Sequence, residues 1–227
     1  MTFRTVCVDD FANDRTIEME NQMKASIIPR KTARGRHTRQ SILAEAVQLA
    51  SLEGLEGLSI GRLSTGLNMS KSGLLAHFGS KEDLQLATVD LACDLYNTKI
   101  VQPALQSRKG LTRLVELCEL WLKYHEQESL AGGCFFLAVS SEFDSREGRV
   151  RKRIKFTMSQ WLRLLQRELY HASKAGEIRR ETDVAQIAFE LNSIGHGANW
   201  SYQLYADKTV FQKARRAIER TLQAIRE

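Results

Sequence analysis

An all-α fold is predicted by three features of the 227-residue sequence. Leu, Ala, Arg and Glu dominate the composition, and the two prolines stand outside the strongly periodic segments. Apolar residues recur at three- and four-residue spacing through most of the chain, and no sustained alternating run would build a sheet. A chain of this length buries a core without disulfide or metal staples.

Residues 1–36 lack helical periodicity and pass from acidic (Asp9, Asp10, Asp14, Glu18, Glu20) to basic, which predicts a mobile N-terminal extension. Met23 is a second possible start. From Thr38, the series Ile42, Ala46, Leu49 and Leu43, Val47, Ala50 predicts a first helix that Gly54 ends. Ser59 then caps a brief helix with Ile60, Leu63 and Leu67 inward, Asn68 breaks it, and Ser70 starts another through Phe78. Ser80-Lys81-Glu82-Asp83 has the spacing of a capping box, with Asp83 placed to reach back to the Ser80 amide. It opens a longer helix carrying Leu84, Ala87, Leu91 and Leu95, which Pro103 should end or kink.

Five further amphipathic stretches follow. They carry Leu111, Leu114, Cys118, Trp121 and His125; Phe135 to Phe143; Val150, Ile154, Met158, Trp161, Leu165 and Leu169; Val184, Ile187, Leu191, Ile194 and Ala198; and Phe211, Ala214, Ile218, Leu222 and Ile225. They predict a C-terminal helical bundle whose joints fall at Gly110, Gly132-Gly133, Gly148 and Gly176.

The net charge of +6 is localised. No acid occurs between Asn21 and Ala44, where Lys24, Arg30, Lys31, Arg34, Arg36 and Arg39 all fall, and the rest of the chain is balanced. Such a run is either a solvated tail or a nucleic-acid contact. The four cysteines lie far apart with no CxxC pair, as suits reduced thiols in the cytosol. Cys134, in GGCFFLAVSSEFD, reads either as a small buried hydrophobe or as a sensor thiol. No apolar run approaches the roughly 20 residues that span a bilayer, and the N-terminus has acids where a signal peptide needs an apolar core. A cytoplasmic protein without a membrane partner is expected. There is no HExxH, no pair of carboxylates on one helix face and no phosphate loop, so no catalytic residue, metal or cofactor is expected.

The segment 59–78 meets the demands of a helix-turn-helix. Ser64 is the small residue that lets two helices approach, Asn68 is a turn residue able to take φ > 0, and Leu63, Leu67, Met69 and Leu74 form the inward set. IGRLSTGLNMSKSGLLAHFGSKEDL, preceded by TRQSILAEAVQLASLEGLEGLS, resembles the N-terminal DNA-binding domain of TetR/AcrR-family transcriptional regulators. The resemblance covers about residues 38–84. It implies a helix-turn-helix DNA-binding domain at 37–83 behind the basic extension 1–36, and a ligand-binding and dimerisation domain at 84–227.

Carried over by position, Ser59 and Ser70 would cap helices aimed at phosphates, and Lys71, Ser72 and Gly73 would begin the recognition helix. His77 would lie near the backbone or stand exposed without a DNA role, and Lys81 would donate to a phosphate. Arg34, Arg36 and Arg39 would attract DNA or reach a minor groove. The sequence departs from the family at Asn68, where Gly is usual, and at Leu75, where an aromatic is usual. Leu75 is thereby limited to a thymine methyl or to packing. Gly73, costly in a helix, implies close approach to DNA or a frayed end.

The resemblance further implies a homodimer through helices 147–175 and 183–205, and therefore a palindromic double-stranded operator. Gly195 and Gly197 suggest either close packing of backbones or space for a ligand. For an unidentified small-molecule effector the candidate lining is Trp121, Tyr124, His125, Phe135, Phe143, Trp161, Asn192, His196 and Trp200, aromatics that are equally able to be core. The expected function is a ligand-responsive repressor. An activator or ligand-independent regulator on the same fold is the alternative, with a helical enzyme or a protein-only adaptor more remote.

Overall fold

The computed structural model describes residues 33–227, with side chains from Gly35 onward. The expected extension falls outside these residues up to position 32. The chain divides into a unit ending at Arg39 and a second unit, Gln40–Glu227.

Helix α1 (Ala33–Glu53) begins ahead of the Thr38 start that apolar spacing indicated. Arg34, Arg36 and Arg39 are strong helix formers that carry no apolar period, so a charged leading turn leaves no trace in a hydrophobic pattern. Next come α2 (Ile60–Gly66), α3 (Lys71–Phe78) and α4 (Lys81–Tyr96), each opened by the serine expected. Ser59 Oγ accepts from the Arg62 amide at 3.0 Å, Ser70 Oγ from the Gly73 amide at 3.0 Å, and Ser80 Oγ from the Asp83 amide at 3.1 Å. The reciprocal half of the Ser80 box differs from expectation. Ser80 Oγ donates to Asp83 Oδ2 at 2.7 Å, so the carboxylate takes the hydroxyl as its partner.

The helical run ends one residue after Pro103, as expected, but it changes pitch first. The helix widens into a π turn, Asn97–Val101, and ends after one more turn, Gln102–Ala104. A proline lacks an N–H and its ring crowds the carbonyl four residues back, a conflict that a wide turn accommodates.

The remaining helices are α5 (Leu111–Glu126), α6 (Phe135–Phe143), α7 (Arg149–Lys174), α8 (Val184–Tyr205) and α9 (Thr209–Gln223). Among the described residues there is no strand, only an isolated bridge between Ile178 and Arg226. No described helix is long and apolar enough to cross a membrane.

The apolar core is continuous across the expected boundary at 83/84. Ile42, Val47, Leu55, Leu63, Leu74, Phe78 and Leu84 pack in one cluster with Leu130, Phe135, Phe136, Val139, Phe143 and Ile154 from the C-terminal part. A second cluster joins α5, the later half of α7, α8 and α9. A third, smaller one holds Ile100, Ala104, Leu117, Trp121 and Tyr124.

Polar contacts stitch the same junction. Glu142 of α6 accepts from the amides of Leu55 at 2.7 Å and Glu56 at 2.9 Å, holding the α1–α2 loop. The loop before α6 donates from Gly132 to Ser51 Oγ at 3.0 Å and from Ala131 to Gln48 Oε1 at 3.2 Å. A Cβ on Gly132 would stand 1.9 Å from the Ser51 carbonyl oxygen, so only glycine permits this approach. At its other side the loop is tied to α8, where Asn199 Oδ1 accepts from the Cys134 amide at 3.0 Å.

Candidate nucleic-acid interface and aromatic cluster

The helix-turn-helix is built by the residues expected to build it. Ser64 is buried and donates to the Gly61 carbonyl at 2.8 Å, leaving a small surface toward α3. Asn68 takes φ 53°, and the chain closes the turn with the Met69 amide on the Ser64 carbonyl at 2.8 Å. Leu63, Leu74 and Phe78 are buried, while Leu67 and Met69 pack half-buried against them.

These anchors turn one side of α3 outward. Lys71, Ser72 and Ala76 are exposed, and Gly73, Leu75 and His77 are half-buried. Gly73 has a reason inside the chain. A Cβ there would lie 2.9 Å from Ser70 Oγ and crowd the hydroxyl that caps the Gly73 amide. Lys71 lies along Gly61, where a Cβ would come within 3.2 Å of its Cε.

Lys81 is not an unengaged donor. Its Nζ donates to the Glu56 carbonyl at 2.9 Å and to Glu56 Oε2 at 3.1 Å, with both side chains 42% exposed. Gln85 Nε2 and the Arg146 guanidinium reach the same carboxylate, at 3.2 and 3.3 Å. The Glu56 carboxyl is held below its ordinary range, chiefly by the Lys81 hydrogen bond and then by that of Gln85. Glu56 stood outside the sequence-derived set because it lies in a loop with no period, 25 residues from Lys81. Ser59 is exposed at the head of α2; Arg36 is exposed and Arg39 half-buried on α1.

Five of the nine candidate lining residues converge. Trp121, Tyr124 and His125 of α5 meet Trp161 of α7 and His196 of α8, with Trp121 centred 5.1 Å from Trp161 and 5.3 Å from His196. Tyr96, absent from the sequence-derived set, stands among them, with edge contacts to Tyr124 at 5.4 Å and Trp161 at 6.1 Å. Its hydroxyl lies 3.4 Å from His125 Nε2. Val89 and Ala92 of α4 are buried, and Tyr96 follows them at seven and four residues, a helical spacing that could have marked it.

The other four stand apart. Phe135 and Phe143 belong to the core beneath the helix-turn-helix, and Arg146 covers the Phe143 ring. Trp200 is 56% exposed against Tyr205, and Asn192 is half-buried.

The aromatic cluster is polar but incompletely satisfied. Trp121 Nε1, Trp161 Nε1 and His196 Nδ1 are buried without a hydrogen-bond partner, a costly condition in a packed interior. Burial, reinforced by His196, pushes His125 down to about 3, and burial lowers His196 as well. Both imidazoles are neutral at pH 7. Among the described residues no group of His, Cys, Asp and Glu is arranged to hold a metal. Cys134 caps α6, its Sγ accepting from the Leu137 amide at 3.4 Å, and burial raises its thiol to about 11. A thiol protonated and enclosed in this way lacks the thiolate that sensor chemistry needs.

Gly195 and Gly197 face in different directions. A Cβ on Gly195 would fall 2.0 Å from Cζ3 of Trp121, whereas one on Gly197 would meet nothing within 4 Å. The first glycine makes room for the indole; the second lies on an open face of α8.

Residues 42–88 match the family model described as bacterial regulatory proteins, tetR family, and residues 110–218 match the tetracyclin repressor-like C-terminal domain. The chain belongs to the TetR family of transcriptional regulators. As a member of that family it is a DNA-binding regulator and not an enzyme. The N-terminal match spans every candidate DNA contact from Ser59 to Lys81; Arg36 and Arg39 precede it.

Solved structures share the fold. A TetR regulator from Chloroflexus aurantiacus is 24% identical with TM-score 0.79, covering 86% of this chain and 99% of its own. One from Cytophaga hutchinsonii is 20% identical with TM-score 0.74, covering 87% and 98%. AibR, solved in complex with isovaleryl coenzyme A and operator DNA, is 18% identical with TM-score 0.64, covering 82% and 97%. No curated protein matches the sequence.

Proposed function

We propose that this TetR-family chain is a ligand-responsive repressor that binds a palindromic operator as a homodimer. The observation that carries the dimer, and with it the palindrome, is a stripe along α8. Phe189, Ser193, Gly197, Trp200 and Leu204 are exposed at three- and four-residue spacing, with Phe189 at 61%, Trp200 at 56% and Leu204 at 59%. Large apolar side chains flanking a serine and an open glycine suit close packing against a second helix. Phe156 and Tyr170 of α7 are exposed as well. A two-fold interface of this kind pairs identical half-sites.

On the DNA side, Lys71, Ser72 and Gly73 present the tip of α3 to the major groove. Ser59 and Ser70 place backbone amides toward phosphates, Leu75 meets a thymine methyl, and His77 stands beside the backbone. Lys81 exchanges Glu56 for a phosphate, and Arg36 and Arg39 add cationic attraction. The effector reading is supported by the unpaired indole and imidazole nitrogens of Trp121, Trp161 and His196, which a ligand bearing acceptor oxygens would satisfy. AibR, with an acyl coenzyme A and operator DNA in one structure, shows a relative of this fold accommodating both partners. Differential affinity of the effector for two half-site spacings, typically worth about 1–3 kcal/mol, would supply the coupling.

Selection of bound duplexes from a random pool by the purified protein at physiological salt tests the core of this reading. A palindrome is expected; an asymmetric single site would refute the dimeric operator complex. In vitro transcription from a promoter carrying the selected site should fall on adding protein, and a rise would identify an activator.

A further inference from the structure

Arg146 to Lys155, the run REGRVRKRIK, holds six cations, Arg146, Arg149, Arg151, Lys152, Arg153 and Lys155, against one acid, Glu147. It lies in the C-terminal part, outside the helix-turn-helix. The structure nevertheless sets its leading end against the head of α4. Arg149 Nη1 lies 3.0 Å from Glu82 Oε2 and 3.3 Å from Asp83 Oδ1, and Arg146 lies 3.3 Å from the Glu56 carboxylate that also holds Lys81. Arg153 pairs with Asp90 further along α4 at 2.7 Å. Both helices therefore run the same way, away from the Lys81 end, and residues 146–152 form a shelf at that end.

Two observations indicate that the shelf serves more than internal pairing. Lys152 stands one turn after Arg149 on the same face, is exposed, and has no acidic partner among the described residues; Arg151 is exposed and donates to the Asp144 carbonyl at 3.2 Å, with no acid paired to it among those residues. Moreover, the first turn of α7 contains no acid, and Gly148 offers no side-chain cap. Cations in a first turn oppose the helix dipole, at about 0.3–1 kcal/mol each. Among the described residues no acid offsets that cost for Arg151 or Lys152, and Arg151 has only the Asp144 carbonyl as an acceptor.

We propose that Arg146, Arg149, Arg151 and Lys152 form a second phosphate-binding shelf that contacts operator DNA beyond the segment read by α3. The proposal rests on Lys81 standing at the phosphate edge of the interface. Arg146 and Arg149 neutralise Glu56, Glu82 and Asp83, which would otherwise repel the backbone there, and Arg151 and Lys152 extend the positive surface along the flanking duplex. These contacts carry no base information, so the shelf adds affinity and salt dependence without altering the selected sequence.

The test uses the full chain and the duplex it selects, made with and without several flanking base pairs on each side. Each lost phosphate contact lowers the slope of log K against log salt by about 0.9, so the double variant Arg151→Gln, Lys152→Gln should lower it by about 2–4 per dimer on the flanked duplex. The loss should shrink on the bare duplex, and the selected sequence should stay the same. Among the described residues neither side chain pairs with an acid, so the double variant should fold, and its thermal melt checks that. An unchanged salt slope with unchanged flank dependence, while the wild type binds, overturns the shelf and leaves the operator reading intact. Failure of the wild type to bind any duplex removes both.

Discussion

Gly195 offers the sharpest test of how α8 is seated. In Gly195→Ala the new Cβ would stand 2.0, 2.3 and 2.7 Å from three ring carbons of Trp121. Ordinary carbon contacts lie at about 3.5–4.0 Å, so the indole must retreat by roughly 1.5 Å. It has nowhere to go: Trp121 is 1% exposed and packs on Trp161 at 5.1 Å and His196 at 5.3 Å. Overpacking of a filled core costs about 1–3 kcal/mol, and an overlap of this size belongs at the upper end. Removing a helical glycine returns about 1 kcal/mol. The net expectation is a loss of about 2 kcal/mol, or a Tm lower by roughly 4–8 °C for a chain of this size. Gly197→Ala, whose Cβ meets nothing in its own chain, is the internal control. It should not destabilise the fold but should weaken self-association. Urea denaturation followed by tryptophan fluorescence reads the first effect, and sedimentation equilibrium the second. A Gly195→Ala protein as stable as the wild type would refute the seating described for Trp121.

Three further outcomes follow from the same geometry. Ser70→Ala removes the oxygen that caps the Gly73 amide and should cost about 0.5–2 kcal/mol, with a steeper fall in operator affinity than in Tm, measured by fluorescence anisotropy beside thermal melting. His125 is held down to about 3 in the folded protein against an ordinary 6.5, so the unfolded chain takes up a proton the native state refuses. Its contribution is complete above pH 6.5 and is lost as pH falls, by roughly 2 kcal/mol at pH 5; denaturation from pH 7.5 to 5 should therefore be flatter for His125→Gln than for the wild type. With its thiol raised to about 11 and buried, Cys134 should resist iodoacetamide at pH 7.4 in the native protein and react once unfolded, as peptide mass mapping would show; rapid native labelling would contradict that burial.

The elements that the sequence made legible are those whose signal is local. Serine caps, the Asn68 turn and the inward leucines need only a few neighbouring residues, and all appear where the spacing put them. The charged start of α1 was invisible because helix propensity without apolar periodicity leaves no pattern. The sites were less legible because their chemistry is assembled over long separations. Phe135 and Phe143 have the composition of a pocket lining but turn into the core below the helix-turn-helix, and that depends on α6 packing against α1. The Glu56–Lys81–Arg146 junction joins three segments that no spacing rule connects. Gly195 and Gly197 look alike in sequence, and only the position of Trp121 tells them apart.

The continuous core beneath the helix-turn-helix has a consequence for engineering. A chimaera that grafts the helix-turn-helix part of this regulator onto another C-terminal domain at residue 84 would cut through a shared interior, orphaning Leu55, Leu63 and Phe78 on one side and Phe135, Val139 and Phe143 on the other. It would also strip the α1–α2 loop of Glu142, the carboxylate that receives two of its amides. A transplant that works must carry α6 and its preceding glycine loop along with the helix-turn-helix part, so the portable unit is discontinuous in sequence.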